Sequence, residues 1–367
     1  MYKQPYTIPK VEIERADEEL FIQIKDAPET DLTLYVGNTP DVITQPIANS
    51  ITGLFSVELP VAEGPYYFVA KSETFSTEIF SERVLQLNGA RNIRDMGGYR
   101  TNDGKIVKWG LLFRGDHLKG LDQQDTALLE KMNIKSIVDY RSEHEQLIYP
   151  NKEIATVVNT FHCDPKSSFS ECSANAVDLK SENEKLVNEL KEGKVDPKFV
   201  NDKGDNVKLG YKELVISDTA KAAYSKFLKI CADSQNVPLI HHCRGGKDRT
   251  GLGSMFLLLL LNVREEDIVK DYVLTGIIRK ERNQLKYEQY CQLTDNKDYL
   301  DYLMTILATR EDFIMTSIQL VKDMYPSIEE FMIQHFGLTQ EEINQAREFY
   351  LEPSSAYTKT IEKIQTS

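Results

Sequence analysis

The chain predicts an α/β protein, a parallel-rich sheet flanked by helices, preceded by a small all-β sandwich of immunoglobulin or fibronectin III style. Three observations carry that reading. From Lys10 to about Leu87, short segments alternate apolar and polar residues between turn-rich pieces. Beyond Asn88 the texture changes to a helical stretch followed by a buried strand. Finally, the apolar run 237–240 enters a glycine-containing turn and leaves it through the unbroken apolar stretch 255–261.

The first region is read strand by strand as VEIERA, ELFIQIKD, LTLYVGN, FSVELP, YYFVAKS and STEIFSERV, separated by DAPETD, GNTPD and AEGP. Residues 1–87 are expected to form this accessory domain, serving as a docking module, a wall of the site or a spacer. A boundary at Leu87-Asn88-Gly89 opens a second domain over 88–353. In it, 105–108 and 111–113 read as a hairpin. Asp122 reads as the N-cap of a helix to Met132, and 134–140 as a buried strand. Residues 157–161 suggest another strand, closing on His162-Cys163-Asp164-Pro165. The polar stretch 166–210 is a long insertion holding a helix over 181–191, and is either a lid or a surface excursion. REEDIVKDYVLT is helical, and Thr339 with Glu342 three residues on marks a late helix start. Residues 354–367 read as a frayed tail.

The chemistry concentrates in HHCRGGKDRTG, residues 241–251. Gly245 and Gly246 let the chain curl after Cys243. Curled backbone N–H groups and a helix N-terminus make an anion cradle, and the same positive end favours the thiolate form of Cys243. The planar fork of Arg249 matches two phosphate oxygens. A thiolate, an amide cradle and a guanidinium are the parts needed for in-line attack on a phosphate ester. The bland alternative is a strand–turn–helix corner holding a buried cysteine. A nucleotide-binding loop does not fit, because Lys247 is followed by Asp248 rather than Ser or Thr.

This string resembles the C-x5-R-[ST] signature of cysteine-dependent phosphatases, and its fuller form HCxxGKDRTG is most similar to bacterial tyrosine and phosphoinositide phosphatases. NIRDMGGY at 92–99 and the strand ending in Phe113-Arg114-Gly115-Asp116 resemble the same family's N-terminal signature, with Gly115 where the family carries serine. DYRSEHE at 139–145 resembles a third segment, so the likeness covers roughly residues 89–352. The resemblance implies a phosphocysteine on Cys243. Arg244, Gly245, Gly246, Lys247 and Arg249 would hold the phosphate, and Thr250 would donate to the departing thiolate. His242 would orient the loop. Asp248 is the first general-acid candidate and Asp164 the second. For Arg94, Asp95, Arg114 and Asp116 a pocket rim and mutual bracing both stand; for Asp139 and Arg141, substrate contact and bracing of the loop.

Composition limits the partners. A net charge of −13, of which −8 falls in residues 1–88, argues against attraction to nucleic acid or anionic membranes. The longest apolar run, 255–261, is too short to span a bilayer. Five cysteines in no framework spacing suggest reduced thiols and no metal. MYKQPYTIPK lacks an apolar leader core, pointing to the cytoplasm, with a secreted origin as the alternative. The expected partner is a phosphorylated protein or a phosphoinositide, with no cofactor. Lys247 and Arg244 add positive charge in the cradle, which favours the inositol lipid; the acidic surface favours the protein. A phosphatase fold without turnover and a sulfur-transfer enzyme are the competing classes.

Overall fold

A computed structural model describes residues 2, 3, 11–25, 27, 31–167 and 179–354. The N-terminal part is two four-stranded antiparallel sheets. One runs Tyr2–Lys3, Val11–Ala16, Glu19–Ile24, Leu54–Glu58; the other Gln45–Ser50, Leu32–Gly37, Tyr67–Lys71, Phe80–Ser81. Alternation does the work: Val11, Ile13, Leu20, Ile22, Leu32, Leu34, Phe55 and Val57 face a common core. The strand Gln45–Ser50 does not announce itself in sequence. It carries Pro46, sits at a sheet edge and pairs through an irregular register at Leu34/Tyr35, as expected where proline interrupts a ladder.

This layer is seated on the second part by specific contacts. Trp109, from beyond the boundary, joins the sandwich core, and its indole donates to the Ile79 carbonyl at 3.1 Å. Arg83 lies over the rings of Tyr99 and Trp109 and donates to the carbonyls of Asp95 and Gly97.

The central sheet has the order Asn159–His162, Ser136–Asp139, Leu239–His242, Leu112–Gly115, Arg94–Asp95. The first four strands are parallel and the last is antiparallel. The expected hairpin over 105–113 does not form. Lys105–Val107 pairs instead with Leu351–Pro353 at the far end of the chain. Period-two patterning names a strand but not its partner.

Leu239–His242 is the middle strand and is wholly buried. The helix Asp248–Leu260 follows it, and every residue from Arg249 to Leu260 is buried. It is enclosed by Asp205–Ile216, Asp218–Ala232, Glu265–Ile278 and Glu311–Met324, which explains its lack of a polar face. Asp122 caps its helix as expected, closing a box with Asp125, and the expected capping box at Thr339 is present. In the insertion, Leu179–Lys191 packs on Lys280–Leu293, which also packs on Lys297–Leu307. Val187, Leu190, Tyr290, Leu300 and Leu303 form a separate small core there.

Candidate active site

The turn between middle strand and helix is held from outside by its own carbonyls. The His117 N–H donates to Arg244 O at 3.3 Å. Asn92 Nδ2 reaches Gly245 O and Gly246 O at 3.3 and 3.2 Å, Arg279 Nη1 reaches Gly245 O at 3.2 Å, and Arg114 Nη2 reaches Gly246 O at 2.8 Å. Gly246 sits at φ +64°, and a Cβ there would lie 2.6 Å from both Asn92 Nδ2 and Gly115 O. Only glycine fits this close approach. Gly115 is equally constrained: a Cβ would come within 2.6 Å of Ile93 Cγ1, which suits glycine rather than the family's serine.

The clamps are themselves fixed. Asp271, nearly fully buried, pairs with Arg94 Nε at 3.0 Å and with Arg114 Nη1, while Arg94 Nη1 donates to Asn92 Oδ1. Arg94 and Arg114 therefore brace the loop rather than rim a pocket. Arg141 likewise grips Asp139 through Nε and Nη2 and donates to Asn151 and the Tyr149 carbonyl. Of these signature residues, Asp116 lines the cavity.

That cavity has a volume of about 770 Å³, and Cys243, Arg244, Gly245, Lys247, Asp248 and Arg249 form one side of it. Cys243 is 3% exposed and lines the cavity. Arg249 is held as a fork: Nη1 and Nη2 donate to Glu145 Oε2 and Oε1 at 2.7 and 2.9 Å, and Nη1 also to the Tyr140 carbonyl at 3.0 Å. Glu145, 1% exposed, additionally accepts from the Ser142 N–H. The capping pattern S-x-x-E was visible in DYRSEHE, but it signals a helix start; its second task, orienting an arginine 104 residues away, left no local mark.

Asp248 lines the cavity and accepts from Tyr211 OH at 2.6 Å. Asp164 does not line it; its carboxylate is turned onto Lys166, accepting from that residue's N–H and pairing with its Nζ at 2.7 Å. Lys247 also faces the cavity, but its ammonium donates to the carbonyls of Ile306 and Ala308, where Lys297–Leu307 ends. Its charge is engaged with the cavity's far wall and, at 3.3 Å, with Asp248 Oδ1 in the loop itself. His242 is fully buried, its Nδ1 3.2 Å from Cys243 O and its Nε2 3.6 Å from Asp139. Burial pushes it down to about 4 despite the nearby Asp139 carboxylate, so the ring is neutral. The Thr250 hydroxyl is buried with no hydrogen-bond partner among the described residues.

The opposite wall comes from the insertion and the helices after the loop. Leu186, Val195, Tyr302, Leu303, Ile306 and Leu307 give it an apolar face. Glu182, Arg279, Arg282 and Lys286 give it a charged one. Among the described residues, no cluster of three His, Cys, Asp or Glu side chains is arranged to hold a metal ion. None of the described helices is long and apolar enough to cross a membrane.

A protein named as a tyrosine-protein phosphatase in Cupriavidus necator is 24% identical over 237 residues, covering 64% of this chain and 78% of the relative. The triple specificity protein phosphatase PtpB of Mycobacterium tuberculosis is 22% identical over 280 residues, covering 72% of this chain and 98% of the relative. The sequence model of the tyrosine phosphatase family matches residues 85–352, nearly all of the chain outside the sandwich, and the chain belongs to that family as a protein-tyrosine-phosphatase-type hydrolase.

Proposed function

We propose that the chain hydrolyses phosphotyrosine in proteins through a phosphocysteine on Cys243. The observation that carries this is a buried cysteine lining a large cavity, beside an arginine fork preset by Glu145. The Cys243 thiolate attacks phosphorus and the ester P–O bond breaks. The leaving oxygen keeps the electron pair and takes a proton from Asp248. Water then attacks phosphorus, its proton passes to Asp248, the S–P bond breaks and the thiolate is restored.

The loop N–H groups and Arg249 bind the three equatorial oxygens, where charge gathers in the transition state. Outward anchoring of the Arg244, Gly245 and Gly246 carbonyls supports that reading, because it leaves the amides free to face the phosphate. The orphaned Thr250 hydroxyl supports a donor waiting for the thiolate; a buried unpaired hydroxyl otherwise costs about 1–3 kcal/mol. A neutral His242 fits a residue that positions the loop rather than one that moves protons. Asp248 is preferred to Asp164 as the acid because it lines the cavity. Residues 88–353 form the catalytic domain in this reading, with 1–87 its support and the insertion 166–210 its lid, of which 168–178 lie outside the described residues.

The apolar wall supports an aromatic phosphate ester, whose ring needs no hydrogen-bond partner. Phosphoinositide hydrolysis is the second reading, favoured by the basic residues Arg279, Arg282 and Lys286. A phosphate-release panel of phosphotyrosine peptides, phosphoserine peptides and phosphoinositides decides. The phosphotyrosine peptides are expected to give the highest kcat/KM, and a faster inositol lipid would reverse the order of the two readings.

A further inference from the structure

The hydrolysis step leaves one group of cavity residues unused. Lys286, 2% exposed, places Nζ 3.2 Å from Glu182 Oε1, and Arg244 Nη2 lies 3.0 Å from Oε2 of the same carboxylate. Glu182 is itself 7% exposed and comes from the insertion, whereas its two cations come from the loop and from Lys280–Leu293. Arg282 lines the same cavity, one helical turn before Lys286. Among the described residues, neither Arg279 nor Arg282 has a carboxylate within ion-pair distance. Of the other acids lining the cavity outside the loop, Asp116 accepts from the Asn92 backbone amide, Glu189 pairs with Lys185, and Glu281 is exposed to solvent.

Around Lys286, where Glu182 is the buried acid, the wall is therefore short of negative charge. Burial pushes Lys286 down to about 8, with Arg282 reinforcing and Glu182 only partly opposing the fall. Burial and Arg279 bring Arg282 down to about 10. A single carboxylate, shared by two cations, occupies the spot where an anion is most needed.

Resting on the phosphotyrosine reading, we infer that Arg244, Arg282 and Lys286 form a second anion subsite, filled by Glu182 in the free protein. It takes the second phosphate of a peptide phosphorylated at two nearby positions. A phosphate brings a charge of about −1.5 to −2 and three acceptor oxygens, against one charge and two oxygens for Glu182, so it displaces the carboxylate. A peptide rather than an inositol ring is favoured because Leu186, Val195, Leu303, Ile306 and Leu307 line the remaining space. Against them a polyol would leave hydroxyls unpaired, whereas an aromatic ring and apolar side chains lose nothing.

The test uses the full chain and two peptides of one sequence, one with a single phosphotyrosine and one with a second phosphotyrosine two residues away. The doubly phosphorylated peptide is expected to show a kcat/KM about tenfold higher, carried by KM, which corresponds to about 1.4 kcal/mol. Lys286→Met should bring that ratio close to one, and Glu182→Gln should raise it. Thermal melting checks that each variant folds; Arg282→Met, at a more exposed position, serves if Lys286→Met does not. A ratio of one in the parent chain, with the singly phosphorylated peptide still hydrolysed, overturns the subsite and leaves the phosphotyrosine reading standing. A ratio unchanged in both cation variants also overturns it. If neither peptide is hydrolysed, the phosphotyrosine reading itself fails. A preference for soluble inositol bisphosphate that depends on Lys286, without one for the doubly phosphorylated peptide, overturns the peptide assignment in favour of the inositol ring.

Discussion

One side of the cavity is a single stretch of chain, residues 243–249, whereas the side facing it is gathered from the insertion and the helices between Glu265 and Leu307, with Arg91, Asp116, His117 and Tyr149 lining the rest. The two sides are also held differently. The loop side is wired to the sheet through buried charge: Asn92, Arg94, Arg114 and Asp271 beneath the glycines, Glu145 beneath Arg249. The opposite side rests on its own small apolar core and touches the loop at polar points that include Lys247 to Ile306 and Ala308, Arg244 to Glu182, and Arg279 to Gly245. A rigid side suits transition-state binding, which depends on fixed geometry. A side tied by a few exchangeable ion pairs suits substrate choice.

This contrast makes graded predictions. Cys243→Ser should cost at least about a thousandfold in phosphate release while the protein still melts normally and binds vanadate; substantial turnover would break the assignment of chemistry to the loop side. Glu145→Gln comes next. It leaves Arg249 buried without its counter-charge, so kcat should fall about a hundredfold and stability by about 3–5 kcal/mol, read by kinetics and by denaturant melts. A change in KM alone would mean that Glu145 belongs with the substrate-choosing side.

Asp248→Asn should slow a phosphate ester with a poor leaving group about a hundredfold and one with a good leaving group far less. The same change at Asp164 should show no such dependence. The reverse result would move the acid to Asp164. The smallest effect concerns His242. Its folded-state value of about 4 lies below the usual 6.5, so the unfolded chain binds the proton more readily between those values. Stability contributed by the neutral ring is present above about pH 6.5 and is lost as pH falls toward 4. The melting-temperature gap between the parent chain and His242→Asn should therefore narrow across that window.

What could be read in advance follows the same division. The loop was legible because its chemistry is consecutive: Cys243, two glycines, Arg249 and Thr250 carry their meaning in local spacing. The sheet's strands were legible as buried runs. The partner of Lys105–Val107 was not, since it lies about 245 residues away at Leu351–Pro353. Glu145 was visible only as a cap residue, and Lys247 only as an extra charge, because the groups that define them are brought up by folding. In sequence, the cluster Arg279, Lys280, Arg282 and Lys286 fits a phosphate-rich contact and a solvated helix face alike. Only the packing of Leu179–Lys191 onto Lys280–Leu293 turns the Lys286 end of that face inward.

The most direct test of the central claim is to trap the covalent intermediate. The chain is mixed with an aryl phosphate, quenched in acid within milliseconds, digested and analysed by mass spectrometry. A phosphoryl group on the peptide carrying Cys243, formed and lost at rates that match turnover, is the expected result. Steady hydrolysis with no phosphoryl adduct on that peptide, or with the adduct on another residue, would contradict it.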